Sequence, residues 1–160
     1  MPIEIGQKIP DVKLKTMSGG EPRDISTAEL FRGKRAVLFA VPGAFTATCS
    51  EMHLPGFVDY ADELKAKGVE VLACTAVNDI FVLSAWSKDH GADGKVTLLA
   101  DGNGDLARAL GMELDARGFG MGVRSQRYAV LLEDGLVKAV GVDAPSEVKK
   151  SSAEAILQAL

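Results

Sequence analysis

The chain has 160 residues, 47% of them apolar and 25% charged, and a net charge of −4. That is long enough to bury a core, too acidic for the basic face that nucleic-acid binding requires, and without an apolar run near the roughly twenty residues of a membrane span. The opening MPIEIGQKIP lacks the basic and apolar regions of a secretory signal, so a cytoplasmic location is expected.

In chain order, DVKLKT alternates and MSGGEPRD supplies turn residues, which predicts an N-terminal β-hairpin at the edge of a sheet. STAELFRG reads as a short helix capped by Ser26 and stopped by Gly33. RAVLFAV is a continuous apolar run, the mark of a strand covered on both faces. A helical stretch then runs to Gly68, interrupted by Pro55-Gly56. VEVLACTAV is a second buried strand. NDIFVLSAWSKDHG is a helix with Asn78 as cap and Gly91 as stop, and its Phe81 and Trp86 fall at core spacing. KVTLLAD is a third strand and GDLARALG a short helix. RYAVLLEDGLVKAVGV is a hairpin turning at Asp134-Gly135. SSAEAILQAL closes the chain as a helix, with Ser151 and Glu154 as a capping box. This order predicts one α/β domain over residues 1–160, with a thioredoxin-like fold: a central mixed sheet, helices on both faces, and the N-terminal hairpin as an extension.

The chain has two cysteines, too few for a disulfide scaffold. In Thr48-Cys49-Ser50-Glu51, Thr48 and Glu51 have capping-box spacing, which puts Cys49 at the first helical position, directly after a strand. Unpaired N–H groups and the positive helix end favour the thiolate there, and the thiolate is the nucleophile. Pro42-Gly43 ends the strand at the carboxyl edge of the sheet, where open α/β folds keep their sites. Thr46 and Thr48 both offer a hydroxyl. Only one can cap the helix, which leaves the other for a ligand.

Pro42-x-x-x-Thr46-x-x-Cys49, set in VPGAFTATCSEMHLPGF, resembles the active-site signature of the peroxiredoxins, specifically the peroxiredoxin 5-like, type II branch. CTAVNDIFVLSAW, LLADGNGDLARALG and GVRSQRYAVLLEDGLVKAV resemble further stretches of that branch in the same order. The resemblance implies a thiol peroxidase with no cofactor and no metal. Its Cys49 thiolate attacks hydrogen peroxide or an alkyl hydroperoxide and becomes a sulfenic acid. Thr46 and helix-start N–H groups would donate to the leaving oxygen, and Pro42 would wall the pocket. Arg127 matches the family's strand-start arginine and would face the sulfur, with Arg124 near the site. The resemblance also implies an antioxidant role, a homodimer with Phe119 in the glycine-rich, exposed loop ELDARGFGMGVRS as a contact, and reduction by glutathione with glutaredoxin or by thioredoxin.

Cys74 is open to two readings: a buried inert thiol, or a resolving cysteine that condenses with the oxidised Cys49, which needs the two α-carbons within about 7 Å. Some family members carry a resolving cysteine before the last helix, where SEVKKSSAEAIL has only serines. His53 lies four residues after Cys49. The cysteines and histidines lack zinc-motif spacing, so His53 is read as packing beside the site, where it can tune it, and His90 as closing a helix. Two other functions use the same residues: a Cys49-His53 acyl-transfer enzyme, and a non-enzymatic redox sensor that signals through Cys49 oxidation.

Overall fold

A computed structural model describes residues 2–160. Its elements run β1 (Lys13–Ser18), β2 (Glu21–Ser26), α1 (Thr27–Phe31), β3 (Arg35–Ala40), α2 (Leu54–Asp59), α3 (Ala61–Ala66), β4 (Val71–Ala76), α4 (Ile80–Asp89), β5 (Thr97–Ala100), α5 (Asp105–Ala109), β6 (Glu113–Asp115), β7 (Val123–Ser125), β8 (Arg127–Glu133), β9 (Leu136–Asp143) and α6 (Ala153–Ala159). Seven strands form one sheet in the order β2-β1-β5-β4-β3-β8-β9. β3, β4 and β5 are parallel, while β8 pairs antiparallel to β3 and β9 antiparallel to β8. This is the thioredoxin-like mixed sheet expected from the element order, with the N-terminal hairpin β1–β2 at its edge.

Strand residues alternate between faces, and here the two faces feed two cores. Val37, Phe39 and Val41 join Cys74, Ala129 and Leu131 under Leu54, Phe57, Leu64, Leu83, Trp86 and Ile156 from the helices. Ala36, Leu38 and Ala40 join Ala73, Tyr128 and Val130 against Phe31, Leu106 and Leu110 on the opposite side. Both faces of β3 are therefore buried, as its unbroken apolar run requires. Parity also fixes the site: Arg127, two residues before Ala129, projects to the Cys49 side.

Several local expectations change. Pro55 and Gly56 do not interrupt the helix, because a π turn at Cys49–His53 precedes them, with the Leu54 N–H bonded to the Cys49 carbonyl. The wider i→i+5 turn relieves the clash that a mid-helix proline ring makes with the carbonyl four residues back. The chain bends instead at Tyr60, where the backbone leaves helical angles. Asp79, not Asn78, caps α4 by accepting from the Val82 N–H. Asn78 Oδ1 instead accepts the Ala44 N–H at 3.0 Å and steadies the loop after β3. Phe81 is 66% exposed, whereas Trp86 is fully buried. The glycine-rich segment 113–125 is a small hairpin, β6–β7, carrying a 3-10 turn at Arg117–Phe119. The Asp134-Gly135 turn has both residues at positive φ, 51° and 76°, the geometry that matches the strand twist in a tight hairpin.

Near the C-terminus, Ser152 caps α6 by accepting from the Ala155 N–H. Ser151, expected in that role, is buried against Asp143 instead. The chain crosses so tightly over β9 that a Cβ on Gly141 would lie 2.1 Å from the Lys150 carbonyl oxygen. Backbone cannot yield as a flexible side chain can. Gly141→Ala should therefore displace the 149–151 segment and lower the unfolding free energy by about 2–4 kcal/mol in denaturant titration.

Candidate active site

The helical backbone that carries Cys49 begins at Ala47, two residues earlier than the capping box required. Thr48 has helical φ and ψ (−64°, −37°) and makes no side-chain cap bond, so Cys49 is the third helical residue. Its first main-chain link is the Ser50 N–H to the Thr46 carbonyl, 2.9 Å. The N–H groups of Ala47, Thr48 and Cys49 precede that link and have no partner within the helix.

Arg127 meets this turn from β8. The register pairs Ala40 with Tyr128, which puts Arg127 one residue past the carboxyl end of β3, beside the chain leaving for Pro42. Its Nη2 donates to Cys49 Sγ at 3.0 Å and to the Pro145 carbonyl at 2.8 Å. Nε also reaches that carbonyl, at 3.2 Å. Nη1 lies 2.8 Å from His53 Nδ1. Arg127, Cys49 and His53 are each 1% exposed.

His53 packs against the stacked pair Phe39 and Phe57, whose centroids are 4.0 Å apart, with its own ring centroid 5.0 and 5.6 Å from theirs, and its Nε2 lies 2.8 Å from the Ser151 carbonyl. A guanidinium can only donate, so Nδ1 is bare and Nε2 carries the proton that it gives to Ser151. Burial, and then the charge of Arg127, lowers the His53 pKa to about 3. Ser151 is fixed in turn: its N–H and hydroxyl donate to Asp143 Oδ2 at 2.8 and 2.7 Å. Burial pushes the Asp143 carboxyl up, but the bonds from Ser151, Lys149 and Lys150 outweigh it and bring it to about 2.

Thr46 Oγ1 donates to the Gly43 carbonyl at 2.7 Å. Its proton is engaged, so it faces a ligand as an acceptor rather than as the donor expected from sequence. Pro42, Thr46, Thr48 and Arg127 share a cleft of about 390 Å³ with Leu114, Ala116, Phe119 and Met121 from the β6–β7 hairpin, and with Pro145. Arg124 donates to the Met121 carbonyl at 2.8 Å and lies over Gly43, where a Cβ would come within 3.1 Å of its Nη1. It braces the hairpin against the loop.

Cys74 faces the same core as Cys49 from β4, beside Phe39 in the register. Both thiols are free and buried. Burial, with Cys49 close by, pushes the Cys74 thiol well above its ordinary value. Among the described residues no group of three or more His, Cys, Asp or Glu side chains could hold a metal ion, and no helix is long and apolar enough to cross a membrane.

The redoxin family profile matches residues 4–157. The chain belongs to the redoxin family, as a peroxiredoxin of the peroxiredoxin 5-like, type II branch. It is similar to the chloroplastic peroxiredoxin-2E of Arabidopsis thaliana, 49% identical over 162 residues that cover 99% of this chain and 69% of the relative. The reduced Prx3 of Vibrio vulnificus, solved in complex with hydrogen peroxide, is 47% identical with a TM-score of 0.93 over 98% of each chain. Peroxiredoxin 5 of Alvinella pompejana is 34% identical with a TM-score of 0.87, covering 99% of this chain and 97% of its own. This peroxiredoxin is accordingly a peroxidase among the oxidoreductases. The cytoplasmic location expected from the N-terminus is overturned by the chloroplastic relative.

In this peroxiredoxin the residues brought together are Cys49, Arg127 and His53, with Pro42 and Thr46 at the cleft. Sequence reasoning left Ser151 and Asp143 out of the site, and neither has a local motif to announce it. His90 closes α4, its ring 3.7 Å from Asp89, away from the chemistry.

The His53 environment makes stability depend on pH. The unfolded chain takes up a proton near 6.5 that the folded chain refuses until about 3. Stability is therefore full above pH 6.5 and falls as pH drops towards 3. At about 1.4 kcal/mol per unit, about 3 kcal/mol should be lost by about pH 4. Denaturant unfolding from about pH 7 down to 4.5 should show this slope, and His53→Phe should flatten it.

Proposed function

We propose that Cys49 is the thiol that reduces hydrogen peroxide and alkyl hydroperoxides, and that an external thiol restores it. One contact carries this reading: a buried guanidinium donates to a buried sulfur, at 3.0 Å, beside a mostly apolar cleft. The thiolate attacks the terminal peroxide oxygen. An S–O bond forms as the O–O bond breaks, sulfur loses two electrons to the peroxide, and the departing oxygen takes up a proton as water or alcohol. Arg127 and the N–H groups at the helix start donate to the oxygens as charge develops. Thr46 accepts from the peroxide O–H, and Pro42 limits water. Phe119, Met121 and Leu114 accommodate an alkyl tail.

Histidine 53 does not fit an acyl-transfer base, because Nδ1 is engaged by Arg127 and Nε2 by Ser151. Cys74 is fully buried with a raised pKa, a poor resolving thiol. The sulfenic acid therefore goes to an outside thiol, glutathione with glutaredoxin ahead of thioredoxin. Two such thiols return Cys49 and release a disulfide and water. The exposed Phe119 and Phe45 support a homodimer meeting near the cleft. The role is antioxidant defence, and the chloroplastic relative supports a plastid setting.

Intact mass after a limited dose of hydrogen peroxide, with no reductant, tests the assignment. The reduced protein should gain one oxygen and Cys49→Ser none; peroxide consumption by Cys49→Ser would end the reading. Cys74→Ser should leave turnover with glutathione and glutaredoxin little changed. A large loss there, with a mass two hydrogens lighter in the unaltered protein, would instead make Cys74 the resolving thiol.

A further inference from the structure

We infer that His53 is a positioning residue, whose bare Nδ1 holds one arm of Arg127 so that the other arm points at Cys49 Sγ. The inference rests on the assignment of Cys49 as the peroxide-reacting thiol and adds a residue to its machinery.

The geometry has three parts. Arg127 splits its two terminal nitrogens between His53 Nδ1 at 2.8 Å and Cys49 Sγ at 3.0 Å. A planar fork cannot turn one arm without moving the other, so the Nδ1 contact sets where Nη2 aims. The imidazole is itself fixed in tautomer and rotation, since Nε2–H is given to the Ser151 carbonyl at 2.8 Å. That carbonyl stands in place because Asp143 receives the Ser151 N–H and hydroxyl and the N–H groups of Lys149 and Lys150. The chain Asp143–Ser151–His53–Arg127–Cys49 thus runs from the end of β9 to the sulfur.

A packing residue would need none of this. Phe39 and Phe57, stacked on each other at 4.0 Å, give the ring an apolar wall, and a phenyl group would suit them as well. Burial and the charge of Arg127 keep the ring neutral; the Ser151 carbonyl and the Asp143 charge pull towards protonation but are outweighed, so the acceptor is kept.

Two substitutions separate the roles. His53→Phe keeps a ring against the Phe39–Phe57 pair but removes the acceptor. His53→Asn loses ring volume, yet its Oδ1 sits where Nδ1 does and can still accept from Arg127. Losing a hydrogen bond to a charged group should slow the peroxide step by about tenfold or more in His53→Phe. The pH midpoint of Cys49 alkylation by iodoacetamide should also move upward. His53→Asn should recover most of both. Equal impairment of the two variants, or a His53→Phe protein with unaltered rate and alkylation profile, would overturn the inference.

A measurement on the unaltered protein holds even if neither variant folds. Long-range proton–nitrogen correlation of the His53 ring should show Nε2 protonated and Nδ1 bare throughout about pH 5 to 8, the range in which an ordinary histidine changes charge. A proton on Nδ1, or titration near the ordinary value, would overturn it. This readout needs no peroxide. Failure of the Cys49 assignment would show separately, as turnover surviving in Cys49→Ser.

Discussion

A guanidinium buried to 1% exposure, with no carboxylate among its bonded partners, is the constraint around which the site is built. Removing a fixed charge from water costs several kcal/mol unless the surroundings compensate. Arg127 is compensated by the Pro145 carbonyl, by a neutral imidazole and by a sulfur. Of these, only the sulfur can carry a negative charge. The fold therefore holds a buried cation 3.0 Å from the sulfur, where water screens little of the interaction between them.

Getting the three groups to one point uses the whole sheet. β3 delivers the Pro42 loop, and β8, its antiparallel neighbour, begins beside that loop with Arg127. The parity of β8 puts Arg127 on the face shared by Phe39 and Cys74. The π turn then sets the segment that carries Cys49 and His53. In a regular α-helix Pro55 would crowd the carbonyl of Glu51. The extra residue in the turn relieves this and lets Cys49 and His53 reach different arms of one fork. The indole N–H of Trp86 adds a lateral tie, donating to Ser50 Oγ at 2.9 Å from the packed face of α4. A π turn is the rarer helical form, and here proline, tryptophan and arginine each give it a reason to persist.

Much of this was legible in the sequence. The buried strands announced themselves as unbroken apolar runs, Asp134-Gly135 as a tight turn, and Cys49 as a thiol behind Pro42-Gly43. Arg127 was reached through family resemblance, although strand parity alone would have put it on the correct face once β8 was paired with β3. What stayed hidden was whatever depends on chains crossing in space. Ser151 and Ser152 are chemically equal as caps, and only the passage of the chain over Gly141 decides that Ser152 caps while Ser151 faces Asp143. His53 looked like filler because its two partners lie 74 and 98 residues away. The β6–β7 hairpin escaped notice because three-residue strands around glycines carry too short a pattern to read.

Under the proposed function, the same geometry would let one site serve unlike peroxides. Its polar contacts converge at one end of the cleft: Arg127 as donor, Thr46 as acceptor, and the helix-start N–H groups beside them. Those features would suit an O–O–H unit and nothing beyond it. Past them the lining is mostly apolar, Pro42, Leu114, Ala116, Phe119, Met121 and Pro145 with Asp115 and Ser146 among them, and would contact an alkyl tail without specifying its length. Discrimination between peroxides then rests on apolar contact, worth only about 1–3 kcal/mol per methylene in a closed pocket and less in an open one. The reacting end, by contrast, is fixed by hydrogen bonds to a charged group. A chain that anchors its arginine from the far side, through His53 and Ser151, leaves the cleft side free to vary without disturbing the sulfur.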